Sequence, residues 1–583
     1  KLDSRISFSP ADTPPTYAAP SAVHYWGNEK HLSSENLLPY SSDLSNAAWT
    51  KSGVTVPSNN NSSPDGGTAA SSVLETATTG SHSFYDDFAC VSGDSYTSIV
   101  YAKANGRSVM RVAIKATATI AAVDYDLTAV SSTVASGSAD SHSITAIGST
   151  GWYKLVLTVT ATATGTGRAR VYLHDGSSTS YTGDVTKGAY FWGMQASSTG
   201  ETVLNATSGS IHRSFAPTLK SVANAGDPRF EYSPADGQSD AGSPLGLLIE
   251  SQSTNYNTKS EDIAGWSSPG NMSVSASAMV APNGTLTADV LTVSDDTVAS
   301  GHFAYRISAG GNSGDSVTTS FYAKSAGVNH IYFYDANAGA DSVSIFDLNN
   351  GTIGGTNASN CKMIDCGNGW WRCVSVYTLT GTGTSLRFYT TDNGSTTTYI
   401  GNGFDGFALW GVQVEIGVSS ESSYISTSGS TVSRAADSCS VADFGYTGGP
   451  ISITAEANTS DVSSASKILF RYDGGDVYTN YFQGSLLVNY VTAGASTQAL
   501  QYPSSVTTGT DYKVASRVDT NSINSAANGT AQAADTSAVL PDLAGATLHI
   551  GGISGSQCLN GNLKNLKVFS APLTDTNLTA LTS

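Results

Sequence analysis

Short runs in which apolar and polar side chains alternate recur along the whole chain. SIVYAKA, SVMRVAIKATA, WYKLVLTVTA, RARVYLHD, HIYFYDA, SLRFYTTD, ISITAEA, KILFRYD, SLLVNYV, DYKVASRVD and TLHIGGI each read as a β-strand. Gly, Asn, Asp and Ser clusters separate them. In the third run Tyr153, Leu155, Leu157 and Val159 fall on one face and Trp152, Lys154, Val156 and Thr158 on the other, a period of two. The stretch from Trp370 is less clean, because Val374 and Val376 share a face with Arg372, so the pattern alone does not say which face is core. The one helical candidate is the tail TDTNLTALTS, a capped turn or two. Short strands at regular spacing with turn residues between them predict β-sandwiches rather than βαβ units.

The alternating runs are punctuated by phrases that occur twice. RISFSPAD (5–12) returns as RFEYSPAD (229–236), and SNAAWTKSG (45–53) has its counterpart in DIAGWSSPG (262–270), aligning Trp49 with Trp266. Tyr101-Ala102-Lys103 returns as Tyr322-Ala323-Lys324, and Gly151-Trp152-Tyr153 as Gly369-Trp370-Trp371. Trp192-Gly193-Met194-Gln195 returns as Trp410-Gly411-Val412-Gln413. Five phrases in the same order mark a duplicated domain, since the period is far above that of stacked repeats. The Ser-Pro-Ala-Asp of the first phrase is turn-forming. The predicted organisation is an extended segment (1–35), a first module (36–215), a bridge and a strand entering the second repeat (216–250), a second module (251–436) and a C-terminal domain (437–583) without tryptophan.

Composition changes the picture in two ways. Only 13% of residues are charged, so the chain is polar through Ser, Thr and Tyr, which suits antiparallel sheet. The net charge of −18, with no cluster among the 28 Lys and Arg, argues against nucleic acid and anionic membranes as partners. No apolar run is long enough to cross a bilayer, and no signal peptide is read in the first thirty residues. Six cysteines stand at 90, 361, 366, 373, 439 and 558. Their spacing does not suit zinc, and scattered buried thiols, with room for one local disulfide, are expected.

These residues resemble a module common in tailed-bacteriophage fibre and other virion proteins. The resemblance opens on Asn36, Leu37, Leu38, Ser42, Asp43, Leu44 and Trp49, continues through the Tyr-Ala-Lys and Gly-Trp-Tyr strands, and closes on Trp-Gly-x-Gln. The lead-in PRFEYSP…LGLLIE and the exit SYISTSGSTVSRAAD belong to the same setting. The module is similar to a carbohydrate-binding-module jelly roll. The C-terminal part resembles a laminin-G or concanavalin-A-like lectin domain, on GTDYKVASRVDTNSINSAANG (509–529) and LHIGGISGSQCLNGNLKNLKVFSAPLTDTNLTAL (548–581). The resemblance implies an all-β protein of tandem jelly rolls followed by a concanavalin-like sandwich. It also implies a place on the surface of a virion, in contact with other virion proteins, and a homotrimer.

For chemistry, the duplicated tryptophans Trp49, Trp152, Trp192, Trp266, Trp370 and Trp410 are read as core or framework, because specificity usually sits on loops. Sugar-stacking candidates are instead the tyrosines of RYDGGDVYTNYF: Tyr472, Tyr478 and Tyr481, with Asp473 and Asp476 as polar or calcium-binding partners. No cofactor is expected, with a structural calcium left open. No carboxylate pattern, nucleophile elbow, metalloprotease motif or phosphate loop is present, so no catalytic residue is assigned. The expected function is non-enzymatic adhesion of an extracellular tail fibre or spike to host surface polysaccharide or lipopolysaccharide. A ligand-free structural component of head or tail, a polysaccharide-cleaving spike and a bacterial surface adhesin are the alternatives.

Overall fold

The computed structural model describes residues 16–18, 23–116, 119–222, 227–234, 242–308, 310–442, 448–553 and 557–583. The phrase at 5–12 lies outside them, as do the last two residues of its repeat. Within the described residues the regular structure is nearly all β-strand, as the alternating runs predict, and the strand ladders are antiparallel.

Two six-stranded sheets face each other in each repeat. In the first, one sheet runs Ser131–Gly137, Thr119–Asp126, Val109–Ala116, Gly165–His174, Ser83–Cys90, Thr50–Ser52. The other runs Ser141–Ile147, Trp152–Thr160, Ser95–Asn105, Gly188–Ser197, Ala70–Glu75, Val54–Asn61. The second repeat has the same plan, with Phe303–Ser308, Thr384–Thr391 and His330–Asp335 central in one sheet, and Gly406–Ile416, Ser316–Ala326 and Trp370–Thr378 in the other. Leu155, Leu157 and Val159 fill the first core, as their alternation predicts, and Trp49 lies in it too. In the strand from Trp370 the core face carries Cys373 and Tyr377. Trp370, Arg372 and Val374 are buried on the opposite face, so the pattern is unclear because both faces are covered.

The repeated phrases build one construction twice, on the outer face of the second sheet. Tyr101, Trp152 and Trp192 cluster there in the first repeat, and Tyr322, Trp370 and Trp410 in the second. Gly193 and Gly411 must be glycine: both hold a positive φ (65° and 62°), and an added Cβ would stand 2.9 Å and 2.8 Å from the Tyr101 and Tyr322 rings. Gln195 and Gln413 accept the backbone N–H of Asn205 and Ile425, each at 2.7 Å, pinning the chain that returns after the strand. Each aromatic triad is a socket filled from elsewhere. Phe404 of the second repeat enters the first, 5.8 Å from the Tyr101 ring and 5.7 Å from that of Trp192. Trp26 and Leu219 cover the second. These two come from a hairpin-like pair, Val23–Asn36 with His212–Ser221, that spans the ends of the first module.

The C-terminal domain is a pair of seven-stranded sheets around one core. The strand Pro244–Ile249, expected to enter the second repeat, pairs with Gly561–Phe569 of this domain and places Leu247 and Ile249 in its core. The lead-in phrase is held beside it by a buried ion cluster. Arg229 pairs with Glu250 at 2.6 Å and with Asp437, while Arg434 stands 3.6 Å from Glu250 and 3.8 Å from Asp437. Burial alone would raise the Glu250 carboxyl, but the charges of Arg434 and Arg229 and two hydrogen bonds from Ser423 hold it down at about 2. The tail forms the short helix Asp575–Thr582, capped by the Thr574 hydroxyl, which accepts the Asn577 N–H. All six cysteines are free thiols, five of them buried and Cys361 half-buried, so the local disulfide allowed by their spacing is not formed.

Candidate functional site

The tyrosines singled out in the C-terminal hairpin do not form a site. The hairpin itself is present, Lys467–Asp473 paired with Val477–Gln483. Tyr472 and Tyr478 are cross-strand partners on its inner face, fully buried, with rings 4° from parallel and the Tyr478 hydroxyl 2.6 Å from Ser516 Oγ. A ring inside the sandwich cannot stack on a sugar. Asp476 is buried and accepts the backbone N–H of Gly494 (2.8 Å) and of Asp542 (2.7 Å), so both carboxylate oxygens serve the loop. Asp473 accepts from Arg471 at 3.3 Å. Among the described residues no group of three metal-ligating side chains forms, at this loop or elsewhere. Tyr481 alone points outward, close enough to Tyr502 and Tyr490 that their phenols add to the effect of burial in raising its own.

A much larger aromatic surface lies on the second repeat, on the solvent side of its first sheet. Three strands supply it by simple alternation. In HIYFYD, Ile331 and Phe333 enter the core while Tyr332 and Tyr334 face out. In TSLRFYTT, Leu386 and Phe388 go in and Arg387 and Tyr389 go out. In FAYRIS, Ala304 goes in, while Phe303, Tyr305 and the 60% exposed Ile307 go out. Register then sets them side by side: Phe303 and Tyr332 both lie opposite Tyr389, and Tyr305 and Tyr334 both lie opposite Arg387.

The rings form a continuous shelf. Phe303 stacks on Tyr389 at 4.7 Å and 27°, Tyr334 lies 6.1 Å from Tyr389 at 19°, and Tyr332 meets Tyr389 edge-on at 6.3 Å. Arg387 sits 4.6 Å over the Tyr305 ring. Burial, and after it the Tyr334 phenol, pushes the Tyr332 and Tyr389 hydroxyls further above their ordinary range, so they ionise less readily than free phenols. Half-buried rings with fixed faces and neutral hydroxyl edges suit a ligand with apolar C–H faces and equatorial hydroxyls. The nearest carboxylate on these strands, Asp335, is buried and accepts from Ser385 N–H, Asn337 N–H and the Tyr377 hydroxyl, which makes it a strand-end anchor.

The sequence reading missed these five aromatics because it looked for them in a loop. The signal was present in HIYFYDA and SLRFYTTD, whose outward positions are aromatic where a solvated strand face would be charged or hydroxylic. A cavity of about 1420 Å³ also opens where the bridge, the second repeat and the C-terminal domain meet. Its wall includes Glu250 and Arg434, whose charges are engaged in the ion cluster, and Glu415, which accepts from Ser253 and Ser422. Glu250 and Arg434 thus help to hold the junction together.

Comparison with known proteins agrees with this architecture at the C-terminal end. Residues 433–579 match the family described as the concanavalin A-like lectin/glucanases superfamily. No curated protein matches the chain. Among solved structures the chain is similar to domains LG4-5 of the mouse laminin alpha1 chain, at 13% identity and a TM-score of 0.17, covering 45% of this chain and 85% of that one. It is also similar to the LG1-3 region of the laminin alpha2 chain, at 10% identity and a TM-score of 0.21, covering 85% and 96%. Likenesses at these scores carry no argument about ligand or partner. The C-terminal domain is a concanavalin A-like, laminin G-type lectin domain, joined to two copies of a second β-sandwich.

Proposed function

We propose that the protein is a non-enzymatic, glycan-binding adhesin, and that the shelf of Phe303, Tyr305, Tyr332, Tyr334 and Tyr389 is its principal binding surface. The observation that carries this reading is the shelf itself: five aromatic side chains on the solvent side of one sheet, set in register by strand pairing. The lectin-type C-terminal domain supports the same class of ligand. The finer reading is a tail fibre or spike of a bacteriophage, exposed on the virion, bound to other virion proteins and trimeric, with host surface polysaccharide or lipopolysaccharide as ligand. It rests on the duplicated phrases and on their lead-in and exit segments. Weak contacts at each shelf would gain strength when several copies engage one surface.

A ligand-free structural role is the second reading, and the two sockets favour it, since the most heavily repeated residues serve to join bodies of the chain. The two readings separate in one experiment. The full chain is incubated with intact host cells and with their extracted polysaccharide, and reducing ends are assayed in the same tubes. Saturable binding without new reducing ends is expected. New reducing ends would make the protein a depolymerase, and no binding to either material would leave the structural role.

A further inference from the structure

The same face of the first repeat has a different chemistry at the same lattice points. Tyr85 lies opposite Arg170, and Tyr172 opposite Arg111, as Tyr305 lies opposite Arg387 and Tyr389 opposite Tyr332. Tyr85, Arg170 and Tyr172 therefore match Tyr305, Arg387 and Tyr389. Where the second repeat has Tyr332 and Tyr334, however, the first has Arg111 and Ala113. Where the second has Ile307 opposite Ser385, the first has Asp87 opposite Arg168.

Guanidinium groups consequently cover the rings. Arg168 lies 3.8 Å over Tyr85, and Arg170 lies 4.4 Å from the Tyr172 ring and 5.2 Å from Tyr85, so cations and rings alternate in one stack. Arg168 is paired with Asp87 at 2.6 Å, and Arg111 with Asp124 at 2.6 Å. Arg170, between them, donates its Nε and Nη2 to Ser83 Oγ at 3.1 and 2.7 Å and has no carboxylate partner among the described residues. With Lys115 exposed on the same strand as Arg111, the face carries four cations against Asp87, Asp124 and Asp126, in a chain whose net charge is −18.

We propose that this face is a second saccharide site and that it takes an acidic sugar, with the ring carboxylate of a uronic acid seated against Arg170. A planar carboxylate matches the guanidinium fork, whereas a densely sulfated or phosphorylated chain would meet Asp87 and Asp124 on either side and the negative field of the whole chain. The inference rests on the reading of the second repeat as a glycan site. It adds that duplication has split one platform into a neutral-sugar face and an acidic-sugar face.

The test measures binding of the full chain to hexamers of galacturonate, and of glucuronate alternating with N-acetylglucosamine, each also as its methyl ester. A neutral polysaccharide from the host and a sulfated hexamer complete the set. At least one acid hexamer is expected to bind tenfold or more tightly than its own ester. Arg170→Ala abolishes that preference and Arg170→Lys recovers only part of it, while neither alters binding of the neutral glycan. Tyr389→Ala has the opposite pattern. Equal binding of acid and ester, failure of both acids, tighter binding of the sulfated hexamer, or insensitivity to Arg170→Ala would each overturn the proposal and leave the neutral site standing. Loss of neutral binding from the wild-type chain would instead defeat the underlying reading.

Discussion

Four charged side chains buried together are tolerable only when each meets an opposite charge, and Arg229, Glu250, Arg434 and Asp437 meet that condition across three segments. Removing one partner leaves a charge uncompensated. Arg434→Met is therefore expected to cost about 3–5 kcal/mol, read as a lower denaturation midpoint for the transition that includes the C-terminal domain; an unchanged midpoint would show that the cluster is dispensable. At this scale the sequence was legible in kind but not in place. The six repeated tryptophans are buried, as their fixed spacing suggests. The choice of Tyr472 and Tyr478 failed on parity: a bulge between Ile468 and Phe470 and the pairing of Tyr472 with Tyr478 turn both rings inward, and only the paired register reveals it.

Among the elements, the strand Val23–Asn36 depends most on solution conditions. His24 packs 5.1 Å from the Tyr424 ring and 6.4 Å from Trp410, and His31 lies 3.2 Å from the Thr218 hydroxyl. Burial lowers each from 6.5 to about 4. A histidine that resists protonation when folded is protonated more readily when released, so acid favours release. The docking of this strand should weaken as pH falls from about 6.5 and be weakest near 4, seen as lower protection of the amides over 23–36 once the intrinsic exchange rate at each pH is divided out; protection that is flat with pH would contradict this. Phe404 makes a second element-scale prediction. Phe404→Ala empties the first socket and should cost about 1.5–3 kcal/mol in the docking of the two repeats, measured as a lower midpoint and greater protease sensitivity between them. Strand existence was readable from alternation at almost every one of these elements. Their partners were not, because Pro244–Ile249 looks locally like the start of the following module and reveals its allegiance only by pairing with Gly561–Phe569.

Over the whole molecule, duplication has kept the sockets and changed the faces. Trp-Gly-x-Gln, Tyr-Ala-Lys and Gly-Trp recur because the same close approach of tyrosine to glycine is needed twice. The solvent faces have no such constraint, so one carries rings and the other carries rings under arginines. Repeated phrases are thus a guide to scaffold, and the proposed function rests on what differs between the copies. The central claim is that the shelf on the second repeat binds glycan, and titration calorimetry of host polysaccharide into the wild-type chain and into the Tyr334→Ala/Tyr389→Ala double variant tests it most directly. The account predicts binding to the wild type and a loss of tenfold or more in the variant at an unchanged melting temperature; equal affinity in the two proteins would contradict it.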